Sequence, residues 1–319
     1  MKAIALAAIP FLAAPALAAP AINGAGATFP APLYQRWFQD YAGATGDRVN
    51  YQSVGSGAGI RQFVAGTVDF GASDEPIKAK EAAKVKRGFV QIPVTGGTIA
   101  VAYNKPGCKL KLTQKQVVDI FAGRINDYKQ VGCSAGKMVV VHRSDGSGTT
   151  FAFTNSLDAF GGWTAGVGKS INWPTGIGAK GNEGVSGTIR NTPGGIGYVN
   201  TGFVRVNKLQ AAVLQNKAGK FVGPSAVTGA AALNGIKLDP VTLAGEDPNP
   251  AGARAYPIST LTWILAYKTG NGEKAEAVRD ALNYMLSGKA QMLADDLGYV
   301  PLAGSVLHRA RLKVNLIQK

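Results

Sequence analysis

The chain has 319 residues, 46% of them hydrophobic, with 34 lysines and arginines against 19 aspartates and glutamates and a formal net charge of +15. That apolar content excludes a disordered chain, and the length suffices for two ordinary domains with real cores. With only two cysteines and two histidines there is no ligand set for a zinc site, so no metal and no cofactor are expected.

The chain opens on a leader. Met1-Lys2 is followed by an almost uninterrupted Ala/Leu/Ile/Pro/Phe run to Ala19, giving a basic start, an apolar middle and a small-residue end. Ala16-Leu17-Ala18 fits a small-x-small cleavage pattern, so residues 1–18 read as a secretory signal peptide and Ala19 as the mature start. The run is too short and too interrupted by proline for a membrane span. No cysteine sits near the cleavage point, so export in soluble form to a periplasm is expected.

Asn23 to Pro30 is a Gly-rich entrance to a helix, in which Pro32 precedes Leu33, Trp37, Phe38 and Tyr41 at helical spacing and Gly43 to Gly46 make the end. Trp37 and Tyr41 read as core, while Thr28 and the Phe29 amide fall at the helix entrance. Val49 to Val54 alternates as a strand, then Gly55-Ser56-Gly57-Ala58-Gly59 leads into Ile60, Phe63 and Val64 at helical spacing, so Ser56 is a hydroxyl at a strand-to-helix turn. These glycines do not fit G-x-G-x-x-G, and no Walker lysine follows Gly148, which sets nucleotide readings aside.

A short strand from Thr67 runs into Ala72-Ser73-Asp74. Asp74 reads either as a turn or cap residue or, at an anion site, as a carboxylate that tolerates only an anion still carrying a proton. Val90 to Val94 is a strand, and Gly96-Gly97 leads into a second strand of a different layer, Thr98 to Tyr103, which marks the first domain crossover. Cys108 and Cys133, an even pair in a chain bound for an oxidising compartment, favour a disulfide over two separate buried thiols. Strand/helix alternation continues from there, Gln114 to Phe121 included.

The apolar run Met138 to Val141 then feeds Arg143 and the small-residue turn Ser144-Asp145-Gly146-Ser147-Gly148-Thr149, after which a helix through Phe151 to Leu157 starts at the Ser147 to Thr149 hydroxyls. Backbone amides at a helix start, a guanidinium fork and a carboxylate to brace it suit an oxyanion, the plain alternative being a turn with a surface salt bridge. His142 alternates away from Arg143 and reads as a packing or surface residue. Gly194 to Val199 belongs to the same strand/helix alternation. Ala255 to Ile258 precedes the strand Thr260 to Tyr267, the return crossing, and helices follow around Ala275 to Leu286 and Gln291 to Leu297. Lysines scattered through 78–86, 105–115 and 208–220 read as solvated surface, so no nucleic-acid partner is expected, although a positive field speeds encounter with a small anion.

In this order Gly24-Ala25-Gly26-Ala27-Thr28-Phe29-Pro30-Ala31-Pro32, Asp69 to Asp74, Asp145 to Thr149, Trp173-Pro174 with Gly181-Asn182, Gly195 to Val199 and Tyr256 to Ser259 resemble the signature stretches of the periplasmic phosphate-binding proteins of phosphate ABC transporters, which are type II periplasmic binding proteins. The resemblance runs nearly the whole mature chain. It implies an α/β, two-lobed periplasmic binding protein fold, each lobe a central mixed sheet flanked by helices, joined by two hinge crossings. Residues 19–94 with 258–319 would form lobe I and residues 95–257 lobe II.

The family's phosphate ligands fall on Thr28, the Phe29 amide, Ser56, Asp74, Arg143, Ser147, the Gly148 amide and Thr149, with Asp145 bracing the arginine. Gly57 stands where a second serine commonly follows Ser56. The implied function is binding of inorganic phosphate in the periplasm and delivery to a membrane permease, by a monomer and without catalysis. The alternatives are an exported phosphatase acting on phosphate monoesters through the Arg143, Ser147 and His142 grouping, and a binding protein for another protonated oxyanion such as arsenate.

Overall fold

The computed structural model describes residues 21–319, and the signal peptide expected over residues 1–18 lies outside them. Nine strands form one curled mixed sheet shared by two lobes. Along its main path the order is Val49–Ser53, Ile22–Gly26, Phe70–Ser73, Ser259–Tyr267, Phe89–Tyr103, Gly195–Asn200, Val139–Arg143 and Ile177–Ala179, with Gln210–Ala211 also paired to Phe89–Tyr103. The three strands at the first end are mutually parallel, as are the three at the other; Ser259–Tyr267 runs antiparallel to both of its neighbours.

Phe89–Tyr103 joins the lobes. Between Phe89 and Thr98 it pairs with Ser259–Tyr267, with a bulge that skips Val94, and from Ile99 to Tyr103 it pairs with Gly195–Asn200. The expectation of two strands in different layers broken at Gly96-Gly97 is therefore corrected to a single 15-residue strand. The glycines serve close approach rather than a turn: a Cβ at Gly97 would lie 2.8 Å from Asn200 Nδ2 and 2.9 Å from Phe29 Cζ, and one at Gly96 would collide with Leu233.

Helices cover both faces of each half. The helix Ala31–Thr45 buries Leu33, Tyr34, Trp37, Phe38 and Tyr41 as one apolar stripe, and Trp37 Nε1 donates to the Ala290 carbonyl at 2.8 Å. The helix Ser56–Ala65 packs Ile60 and Phe63 on the opposite face of the first half, against Ala25, Leu265 and Tyr267. In the second half, Gly148–Phe160 contributes Phe153 and Leu157 to the main core, and Gly181–Asn191 packs Val185 and Ile189 against Val141 and Val199 on the other side.

Several elements escaped the sequence, three of which show why. Ile22–Gly26 is a strand rather than part of a helix entrance, because its Gly/Ala composition leaves almost no alternation to read. The helices Gly181–Asn191 and Gly304–Val314 were not foreseen, although Asn182, Val185, Ser186 and Ile189 are buried at helical spacing. Cys108 and Cys133 form a disulfide, with Cα atoms 5.5 Å apart.

Candidate functional site

Strands that end side by side deliver their following loops to one crevice, the usual ligand position in an open α/β sheet. Here Ile22–Gly26 and Val49–Ser53 lead to the starts of Ala31–Thr45 and Ser56–Ala65, while Val139–Arg143 and Ile177–Ala179 lead to the starts of Gly148–Phe160 and Gly181–Asn191. Four helix N-termini thus converge from two lobes, each offering backbone N–H groups and the positive end of a helix dipole.

From the first lobe come Thr28, Ser56 and Asp74, all buried. The peptides before Thr28 and after Phe29 are fixed: Tyr51 Oη donates to the Ala27 carbonyl at 2.7 Å and Tyr299 Oη to the Phe29 carbonyl at 2.9 Å. Phe29 itself packs edge-on against Tyr299. Asp74 follows the strand Phe70–Ser73 and is 1% exposed. Its Oδ1 accepts from Thr262 Oγ1 at 2.8 Å, and burial pushes the carboxyl up to about 6 against the opposing pull of Thr262, Thr149 and the Arg143 charge.

From the second lobe come Arg143, Ser147, Gly148 and Thr149. Arg143 is 4% exposed, and Asp145 holds it by a fork, Nε to Oδ1 at 2.7 Å and one terminal nitrogen to Oδ2 at 2.5 Å. Burial pushes the Asp145 carboxyl up, but the Arg143 hydrogen bond and charge and the Gly181 amide outweigh it, so the carboxyl sits below its ordinary value and stays ionised. The remaining guanidinium nitrogen, Nη1, is buried with no hydrogen-bond partner. A buried donor of that kind is costly unless something accepts from it. Ser147 caps its helix by accepting from Thr150 N at 2.9 Å, leaving its hydroxyl hydrogen to be donated elsewhere.

The two sets touch. Gly148 N donates to Ser56 Oγ at 3.1 Å, Thr149 Oγ1 to Asp74 Oδ2 at 3.1 Å, and Gly57 N to the Gly146 carbonyl at 2.8 Å. A Cβ at Gly148 would stand 2.7 Å from both Asp74 N and Ser56 Oγ, so only glycine allows this approach. Asn182 donates from both its backbone N, at 3.0 Å, and its Nδ2, at 2.8 Å, to Thr28 Oγ1. Ser53 Oγ donates to Glu183 Oε1 at 2.8 Å. Further out, Lys169 Nζ lies 2.6 Å from Glu75 Oε2 and 3.2 Å from Glu81 Oε1, and Lys78 Nζ lies 3.1 Å from Glu75 Oε1. The contacts on Glu75 are charge contacts without hydrogen-bond geometry.

The structure brings together the side chains of all the residues singled out in the sequence: Thr28, Ser56, Asp74, Arg143, Ser147 and Thr149, with Asp145 behind the arginine. The Phe29 peptide and Gly148 are in the same crevice. Sequence reasoning quoted Asn182 within a signature stretch without giving it a role and missed Thr262, both fully buried, and the tyrosine straps Tyr51 and Tyr299. His142 is stacked on Trp173 with ring centroids 5.0 Å apart, and its Nδ1 faces the Arg143 carbonyl rather than Ser147. Burial holds its imidazole below the ordinary value. The arrangement is rich in N–H and O–H donors, with one fixed positive fork and one acceptor of raised proton affinity. It suits a small tetrahedral oxyanion that carries a proton.

Comparison with known proteins follows the same line. The model of the PBP superfamily domain matches residues 13–289. The chain is 42% identical over 308 residues to the phosphate-binding protein PstS of Pasteurella multocida, covering 90% of this chain and 88% of that protein. It is 40% identical over 304 residues to the protein of the same name from Haemophilus influenzae, covering 90% of each. Among solved structures, the high-affinity periplasmic phosphate-binding protein PfluDING bound with phosphate superposes with a TM-score of 0.77 at 24% identity, over 92% of this chain and 93% of that one. A phosphate-binding protein from Stenotrophomonas maltophilia gives 0.72 at 21% identity, over 92% and 94%. At those identities the two structures establish the shared fold.

Proposed function

The chain belongs to the PBP superfamily and, within it, to the PstS phosphate-binding proteins, and from that premise we propose that it binds inorganic phosphate in the periplasm and delivers it to the permease of a phosphate ABC transporter, acting as a monomer. The observation that carries this is the pairing of Arg143 Nη1, a buried donor in need of an acceptor, with Asp74, a buried carboxyl that favours a proton. Phosphate at neutral pH supplies both an anionic oxygen and a hydroxyl, whereas sulfate supplies no proton.

Thr28, the Phe29 amide, Ser56 and Asp74 would serve the anion from lobe I, residues 19–94 with 258–319. Arg143, Ser147, the Gly148 amide and Thr149 would serve it from lobe II, residues 95–257. Phosphate then joins the lobes and shifts the hinge equilibrium toward the closed form that a permease recognises. We read the protein as a carrier without catalysis: the Ser147 oxygen is engaged as a helix cap and His142 is turned to a backbone carbonyl, so the grouping that favoured a phosphatase is not assembled as nucleophile and base.

The test is titration calorimetry of phosphate into mature protein stripped of bound ligand, repeated in excess sulfate. One-to-one binding that sulfate leaves untouched is expected. Displacement by sulfate would overturn the role of Asp74, and no binding would overturn the carrier reading.

A further inference from the structure

We propose that Asn182 is a specificity-determining positioning residue, which fixes the Thr28 hydroxyl as a donor to the ligand and the Thr149 hydroxyl as a donor to Asp74. This rests on the reading of the crevice as a phosphate site. Asn182 is completely buried at the start of the helix Gly181–Asn191. Its side-chain oxygen accepts from the backbone N–H of Asn200 at 2.9 Å. A peptide N–H only donates, so the amide cannot be flipped and Nδ2 must face the threonines.

Thr28 Oγ1 receives two N–H groups from Asn182, at 3.0 Å and 2.8 Å, which occupy both of its lone pairs. Its one remaining capacity is to donate. Thr149 Oγ1 accepts from Asn182 Nδ2 at 3.2 Å and donates to Asp74 Oδ2 at 3.1 Å. The polarity is therefore directed without ambiguity from the Asn200 peptide through Asn182 and Thr149 to the carboxylate. A phosphate oxygen that meets Thr28 finds a donor, so a second proton on the ligand has no acceptor there, while the single Thr149 hydrogen is already given to Asp74. At Thr28, Asn182 thus favours the singly protonated dianion over the monoanion.

The charged and titratable groups facing this region are Asp74, the Arg143–Asp145 pair, whose Asp145 Oδ1 accepts from the Gly181 amide, and the adjacent Glu183, which is bonded to Ser53.

The experiment is phosphate calorimetry on the parent, Asn182→Ala and Asn182→Ser at pH 8.0 and pH 5.5, with thermal unfolding run beside it. The parent first has to bind phosphate; failure there overturns the site reading itself and not this inference alone. With a binding parent, each variant is expected to bind about tenfold more weakly at pH 8.0, roughly the loss of one oriented hydrogen bond. That deficit should shrink several-fold at pH 5.5, where the Thr28 hydroxyl, freed of the side-chain N–H, can turn and accept the monoanion's second proton. Equal deficits at the two pH values in a folded variant would mean that Asn182 only packs, and unchanged affinity would remove it from the site. If the alanine variant fails to fold, the serine variant carries the comparison with the same two outcomes.

Discussion

Thr262 Oγ1 donates to Asp74 Oδ1 at 2.8 Å from within the same lobe, so only Oδ2 is turned across the crevice, where Thr149 Oγ1 meets it at 3.1 Å. A ligand with one proton to give has one oxygen to receive it. Asp74→Asn should admit sulfate as a competitor, with its affinity rising at least tenfold, on the order of 1.4 kcal/mol, in a competition titration. Unchanged rejection of sulfate would show that discrimination lies elsewhere.

The same carboxyl sets a pH dependence in protein stripped of ligand. Its folded value of about 6 lies above the ordinary 3.8. The sign follows: the stability associated with the neutral form is fully present below the ordinary value and is lost as pH rises through about 6. Asp74→Asn should therefore be more stable than the parent at pH 8, by about 3 kcal/mol, with the gap closing by pH 4. Urea unfolding at the two pH values measures it, and a gap that does not change with pH would contradict the assignment.

Gly148 sets how closely the lobes can meet. In Gly148→Ala the new methyl would stand 2.7 Å from Asp74 N and Ser56 Oγ, both across the crevice, so the clash is felt only on closure. Phosphate affinity is expected to fall at least tenfold, about 1.4 kcal/mol, while the melting temperature without ligand changes little. Small-angle scattering should find the phosphate-saturated variant more open than the parent. An equally compact variant would refute the steric argument.

Lys169 lies between Glu75 and Glu81 of the other lobe. Removing it leaves Glu75, which is buried, facing Lys78 and the region of Glu246, whose carboxyl is pushed up by burial and then by the Glu75 charge. Breaking one partner of a mostly buried pair costs about 1–3 kcal/mol here, less than for a lone pair because Lys78 remains. Lys169→Met should release phosphate ten to a hundred times faster in stopped-flow measurements, with the selectivity against sulfate intact. A release rate equal to that of the parent would show that the pair does not hold the closed form.

The Cys108–Cys133 bridge spans a sequence separation of 25. In the chain-entropy picture such a loop stabilises the fold by about 3 kcal/mol. Replacing both cysteines by serine should lower stability to denaturant by about that amount and leave phosphate affinity unchanged, since the bridge is scaffold remote from the crevice chemistry. A loss of affinity as large as the loss of stability would tie the bridge to the site.

How much of this was legible in sequence depended on side-chain spacing. The stripe of Leu33, Trp37, Phe38 and Tyr41 and the alternation in the strands announce themselves because burial imposes a period. The ligand loops were legible as composition, small residues and hydroxyls at helix starts. Asn182 and Thr262 were not, because each acts through a hydrogen bond to a residue 154 or 188 positions away, and no local pattern encodes such a partner. The glycines at 96 and 97 misled for the opposite reason. Their local signal is that of a turn, while their cause is the close approach of Phe29, Leu233 and Asn200 from distant parts of the chain.

The uninterrupted run from Phe89 to Tyr103 also bears on how the molecule comes apart. One part of that strand pairs with Ser259–Tyr267 and the other with Gly195–Asn200, so neither half of the sheet can melt and leave the other complete. Heating or denaturant should produce one cooperative transition in place of two. Phosphate bound at the crevice would then protect amides throughout both lobes from exchange, since every global opening must expel it first.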